Sequence, residues 1–386
     1  MNANAKTVPI EGFCDERFAR VRAAFVRNFT DYAEHGGAVV VAHKGKVVVD
    51  LWGGWADIEK KVPWQRDTIV NFFSVSKALC AIAVLRLVEE GALDLDAMVA
   101  RYWPEFADGG KEAVTVRQMM SHKAGLPAIR EPLPDEAMLD WAAITTALAR
   151  QSPWWKPGSA HGYHVNTFGF LAGEIVRRIS GKSIGIFLRE TVARPLGADV
   201  HIGLPVSEHA RVAEFPWPVN PARPEIPPAN DEALMRWNTY WNPLGFSGSR
   251  WVNTARWREA EVPSTNGHGN ARGIARVYAA LANGGEIDGA HILSHEAISE
   301  GTREHAAGYD LINQRPSRFG IGFQLTQKER PLGPNRGGFG HFGAGGSLGF
   351  CDPESGIAFD YVMNEMGPRW QNPRNKGLID AVFSSL

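Results

Sequence analysis

The chain is poor in cysteine and has no excess of either charge. Its 386 residues include only three cysteines, Cys14, Cys80 and Cys351, an odd number spread far apart. That excludes a disulfide framework and a cysteine-rich metal site, and three buried thiols are the simplest expectation. Basic and acidic residues nearly cancel, 41 against 42 for a formal net charge of −1, and no long Lys/Arg run occurs. Such a balance lacks the electrostatic footprint of sequence-independent binding to polyanions, so no nucleic acid and no membrane are expected, and the expected partner is a small molecule. The longest strongly apolar stretch, around Ala78 to Val88, falls well short of the ~20 residues that span a bilayer. The opening MNANAKTVPIEG has neither a basic n-region nor an apolar h-region, which leads to the expectation of a cytoplasmic location.

With 44% hydrophobic and 22% charged residues, the composition is that of an ordinary globular protein. The stretch from Gly37 to Trp52 is β-branched on both sides of His43-Lys44-Gly45-Lys46 and reads as a hairpin. A second hairpin is expected near the C-terminus, around Asp352-Pro353-Glu354-Ser355-Gly356. An isolated hairpin is marginal in water, so the economical solution pairs both ends of the chain in one antiparallel sheet. Helices at Glu16 to His35 and Lys376 to Ser384 would cover it. Ser74 to Glu90 reads as a helix apolar nearly all round, ended by Gly91 and placed at the centre of the fold. Further helical patterns fall at Val116 to Met120, Ala137 to Gln151, Thr167 to Ser180 and Gly273 to Asn283. Pro205 to Pro263 reads as long irregular loops packed by aromatics. The expected division is a sheet domain from 1–75 and 270–386 and a mostly helical domain with long loops from 76–269.

Two serine motifs could carry chemistry: Ser74-Val75-Ser76-Lys77 and Gly345-Gly346-Ser347-Leu348-Gly349. The second fits a nucleophile elbow, but that geometry needs an acid and then a histidine downstream, and the last histidine, His341, precedes Ser347. Ser347 therefore reads as structural. Ser74 follows the strand-like TIVNFF and opens the buried helix, which puts Lys77 on the same face. Burial and a helix N-terminus would lower the lysine pKa enough for it to take the serine proton, and N–H groups there could face an oxyanion. An N-capping serine followed by a snorkelling lysine is the alternative reading of the same residues. The pair His161 and His164 has no accompanying carboxylate motif, and His295-Glu296 lacks a second histidine, so no metal is expected.

The order of landmarks resembles the serine β-lactamase and penicillin-binding-protein superfamily, most closely its class C branch and the family VIII carboxylesterases. Ser74-x-x-Lys77 comes first. Met119-Met120-Ser121-His122-Lys123-Ala124-Gly125-Leu126 is similar to the family's Leu-Leu-x-His-x-x-Gly-Leu segment, and Pro157-Gly158 leading to Tyr163 is similar to its tyrosine motif. Gly340-His341-Phe342-Gly343-Ala344-Gly345-Gly346 stands at the position of its Lys-Thr-Gly strand. The resemblance implies an α+β fold of the β-lactamase/transpeptidase type: an antiparallel sheet from both chain ends, flanking helices and an inserted helical part. It makes Ser74 the acylated nucleophile, Lys77 its base and Tyr163 a second proton-transfer group whose pKa Lys77 would lower. The N–H groups of Ser74 and Ala344 become the oxyanion hole. His341, Gly343, Asn166, Trp155 and His268 are the expected substrate-binding residues, with Asn266 beside His268 and Trp154, Trp237 and Trp241 as further candidates for the pocket wall.

Two departures from the family pattern bear on substrate. Val165 takes the place of the Asn of Tyr-x-Asn, with Asn166 one residue later, and His341 replaces the lysine that would hold a substrate carboxylate. An ester needs no such anchor. The expected activity is therefore that of a cofactor-free serine esterase acting on small carboxylic esters. A transacylase, an amide or D-peptide hydrolase or a weak β-lactamase of the same fold is the nearest alternative. A noncatalytic binding relative is the more distant one.

Overall fold

The computed structural model describes residues 8–216, 228–245, 247–248 and 250–386. Strands β1 (Ile10–Cys14), β2 (Gly36–His43) and β3 (Lys46–Asp57) come from the N-terminal part. After them, β4 (Val70–Phe73) and β5 (Gly267–Gly269) pair in a small separate sheet. The C-terminal part adds β6 (Ala306–Asp310), β7 (Arg315–Phe319), β8 (Gln324–Leu325), β9 (Phe339–Phe342), β10 (Leu348–Asp352) and β11 (Ile357–Met363). The main sheet runs β1-β3-β2-β11-β10-β9-β8-β7-β6 and is antiparallel throughout.

The two expected hairpins are its centre. Lys44 and Gly45 take positive φ in the β2–β3 turn, and β11 pairs with β2 from Ile357↔His43 to Met363↔Gly37. This joins the chain ends. Every residue of β2 except His43 is buried, as its Gly-Gly-Ala-Val-Val-Val-Ala run requires of a strand covered on both faces. On one face lie α1 (Ala19–Asp31) and the C-terminal helix, Pro373–Phe383. Arg20 of α1 donates to the Ser384 carbonyl at 2.9 Å, satisfying a group left open at the end of that helix. The other face carries Ala271–Ala282. Alternation along β10 reports both layers: Phe350 stacks near Phe383, whereas Gly349 leaves room for Tyr278.

Helix α2 (Ser76–Glu89) crosses the middle of the molecule with nearly every side chain buried. It begins two residues later than the sequence pattern suggests, because Ser74 and Val75 form the turn out of β4. The 205–263 region is less irregular than its composition indicates. Within it, α3 (Asp231–Trp241) is capped by Asn230, and a short helix, Ala255–Glu259, is capped by Thr254. Trp237 and Trp241 therefore stand on a helix, where loops were expected. Part of that region, 217–227, lies outside the described residues. Among the described residues, no helix is long and apolar enough to cross a membrane.

Candidate active site

The turn between β4 and α2 holds Ser74 under strain. Phe73 takes a left-handed φ of 50°, which costs a bulky residue on the order of 1–3 kcal/mol. Hydrogen bonds fix the turn on both sides. Ser347 Oγ donates to the Phe72 carbonyl at 2.9 Å, and Ser76 Oγ donates to the Phe73 carbonyl while accepting the Gly267 N–H at 2.9 Å. Ser347 is thus a structural clamp on the strand that leads into Ser74.

One turn into α2, Lys77 Nζ lies 3.0 Å from Ser74 Oγ and donates to the Ser264 carbonyl at 3.0 Å. The side chain is fully buried, and no carboxylate among the described residues bonds to it. An ammonium in such a place is costly, so burial pushes Lys77 well below the ordinary lysine range. The neutral amine has a lone pair, and the 3.0 Å contact can then run from the Ser74 hydroxyl to Lys77. This is the arrangement a general base needs.

Tyr163 closes the group, with its ring centroid 4.8 Å from Lys77 Nζ. It is fully buried, and among the described residues its hydroxyl has no hydrogen-bond partner of ordinary geometry. Burial raises the phenol well above its usual range, with the Ser74 hydroxyl pulling the other way. The expectation that Lys77 lowers the Tyr163 pKa is therefore corrected. A neutral amine supplies no positive field, and Tyr163 stays protonated as a potential proton donor.

Two buried imidazoles stand against the same group. His341 lies 5.9 Å from Tyr163 between ring centroids, and His122 lies 5.2 Å from it. Burial holds both well below the ordinary histidine range, so both are neutral. His122 Nδ1 accepts the His164 N–H at 3.1 Å, which leaves the ring proton on an Nε2 that has no partner among the described residues. Sequence reasoning gave His122 no role, although the motif around it was visible. It also missed Ser264, whose carbonyl holds Lys77.

The remaining expected residues divide. Gly343 ends β9, and its N–H donates to the Ser347 carbonyl at 2.7 Å. A Cβ there would fall 2.0 Å from Ser347 Oγ and 2.4 Å from the Phe72 carbonyl oxygen. Only glycine lets this turn close on the strand before Ser74. Trp155 donates to the Ala160 carbonyl at 3.2 Å and packs over Gly162 in an apolar cluster that includes Tyr163, Val165, Met235, Ile312 and Trp370. Asn166 is not free to hold substrate: its amide donates to the Thr239 carbonyl at 2.8 Å and to Ser247 Oγ at 3.0 Å, pinning α3. His268 is not brought to the serine either. It sits on β5 opposite Asn71, and the charges that act on it belong to Arg258, His201 and His209. Asn266 is spent within its own turn, donating to the Trp257 carbonyl at 2.9 Å and accepting the Val262 N–H at 2.9 Å. A surface cavity of about 720 Å³ beside Pro316 and Arg318 contains none of Ser74, Lys77 or Tyr163.

An antiparallel sheet closed by both chain ends, with a buried Ser-x-x-Lys pair where β4 gives way to α2, defines a β-lactamase/transpeptidase-like protein. The family model described as Beta-lactamase matches residues 21–382, and the chain belongs to that family. Its place within the family agrees with the order of the sequence landmarks. A family VIII carboxylesterase of known crystal structure is 42% identical, with TM-score 0.90 over 98% of this chain and 100% of that one. A penicillin-binding protein homolog from Caulobacter crescentus is also 42% identical, with TM-score 0.89 over 98% and 100%. Among curated proteins, "Esterase/beta-lactamase LipL" of Mycobacterium tuberculosis is 37% identical over 92% of this chain and 83% of its own length.

Proposed function

We propose that the chain is a serine carboxylesterase with a Ser74-Lys77-Tyr163 catalytic set. The observation that carries this reading is the buried Lys77 amine, 3.0 Å from Ser74 Oγ and without a carboxylate partner among the described residues. Ser74 Oγ attacks the ester carbonyl and its proton passes to neutral Lys77. The N–H groups of Ser74 and Ala344 receive the negative charge that develops on the carbonyl oxygen. Protonated Tyr163 gives its proton to the departing alcohol oxygen and recovers one from the Lys77 ammonium. Water then attacks the acyl-enzyme by the reverse proton path, releasing the acid and restoring Ser74. The esterase-named relatives support the choice of ester. A cytoplasmic location and the division into sheet and helical domains at 75/76 and 269/270 belong to the same proposal.

The test is labelling with a fluorophosphonate followed by peptide mass analysis, beside relative turnover of a p-nitrophenyl ester, an anilide and a chromogenic cephalosporin. Label on Ser74 with the ester turned over fastest is the expected result. Label on Ser347, or faster cleavage of the anilide, contradicts the proposal. Weak cephalosporin hydrolysis is a second reading, favoured by the double name of the Mycobacterium tuberculosis relative.

A further inference from the structure

Beside Tyr163 the chain gathers positive charge that no salt bridge among the described residues neutralises. The Trp370 ring meets Tyr163 edge-on at 5.0 Å between centroids. On Trp370 stand two guanidinium groups, Arg315 at 4.8 Å and Arg330 at 5.9 Å from the ring centroid. Neither forms a salt bridge among the described residues. Among the described residues Arg315 Nε is buried without a partner, and the Arg330 guanidinium donates to a neutral group, the Pro316 carbonyl, at 3.0 Å. Burial weighs against the charge of both, and like charges add to it, Arg369 acting on Arg315 and Arg315 on Arg330.

The acidic groups nearby do not cancel this charge. Asp310 attracts both arginines, yet its oxygens are already occupied. Oδ1 accepts the N–H groups of Tyr163, Ile312 and Asn313, and Oδ2 accepts Asn313 Nδ2 and Ser317 Oγ. Glu329 is exposed and acts on Arg330 alone of the two. Stacking on an indole fixes a guanidinium plane and leaves its N–H edge open for bidentate contact with a carboxylate. His341 cannot serve in this way, because it is neutral.

We propose that Arg315 and Arg330, stacked on Trp370 beside Tyr163, form a carboxylate-binding subsite, and that the preferred substrates are esters bearing a second, anionic carboxylate remote from the scissile bond. This deepens the esterase reading and rests on it. The fixed positive charge that His341 lacks is thereby supplied by β7 and the segment after β8.

The experiment compares kcat/KM for two matched pairs. One is mono-p-nitrophenyl glutarate against its methyl-capped counterpart, which carries the charge on the acyl side. The other is 4-carboxyphenyl butyrate against 4-acetylphenyl butyrate, which carries it on the alcohol side. An anionic-to-neutral ratio above about 10 is expected in one pair, falling about tenfold or more in Arg315→Ala and Arg330→Gln and as salt is raised, since one fork–carboxylate contact discriminates on that scale. Arg315→Lys should recover only part of the ratio, because an ammonium lacks the planar fork. A ratio near one in both pairs, or one unmoved by either arginine variant, overturns the subsite. Failure of the esterase reading is distinguishable, since it appears as no turnover of any neutral ester. In that event calorimetric binding of glutarate, expected in the wild type and lost in Arg315→Ala, still decides the subsite.

Discussion

Replacing Lys77 by methionine separates the two consequences of burying an amine beside a serine. Methionine follows the same unbranched path through the core but carries neither proton nor lone pair. Loss of a general base slows a reaction by about 10²–10⁴-fold, and Tyr163 cannot substitute, because burial keeps its phenol protonated. Stability should move the other way. Lys77 is held well below the 10.5 of a free lysine. Between that depressed value and 10.5 the unfolded chain binds a proton that the folded chain does not, so this group makes stability rise with pH. The limiting slope is about 1.4 kcal/mol per pH unit. Lys77→Met removes that slope. Urea denaturation of both proteins at about pH 7, 8 and 9 should therefore show the variant equal or more stable near neutrality, with its advantage shrinking as pH rises. A stability difference independent of pH, or a variant that keeps its acylation burst, would refute the reasoning.

Three further substitutions test the surrounding geometry. Tyr163→Phe removes a buried hydroxyl that has no hydrogen-bond partner of ordinary geometry among the described residues, so denaturation should show a gain of about 1 kcal/mol while steady-state kinetics show kcat lowered about 10²-fold or more. Gly343→Ala puts a methyl 2.4 Å from the Phe72 carbonyl oxygen. Denaturation should report a loss of about 1–3 kcal/mol, and displacement of the Ala344 N–H should lower kcat about 10²–10³-fold. Ser347→Ala leaves that carbonyl without its clamp, for a loss of about 1–3 kcal/mol by the same measurement, while fluorophosphonate should still label Ser74.

Much of this arrangement is legible in the sequence. The β-branched runs either side of Lys44-Gly45 and of Asp352 to Gly356 marked both hairpins, and the isolated instability of each led to the joined sheet. Ser74 and Lys77 stood out because a three-residue spacing at a helix start makes a contact on one face. What sequence could not show was dielectric environment. The field around Tyr163 depends on whether Lys77 is charged, and that depends on how completely the fold buries the amine. Asn166 and His268 were drawn toward the site by motif proximity, whereas their polar atoms and neighbours belong to the α3 and β5 packing. Trp370, Arg315 and Arg330 meet only through the sheet register and the segment after β11, with no local pattern to announce them.

The most direct test of the central claim is hydrolysis of p-nitrophenyl butyrate by the wild-type protein beside Ser74→Ala, both confirmed as folded by circular dichroism. Burst kinetics in the wild type, with burst and steady turnover both lost in Ser74→Ala, is the predicted result. Turnover that survives in Ser74→Ala would contradict the assignment of Ser74 as the acylated nucleophile, and no turnover in the folded wild type would contradict the esterase itself.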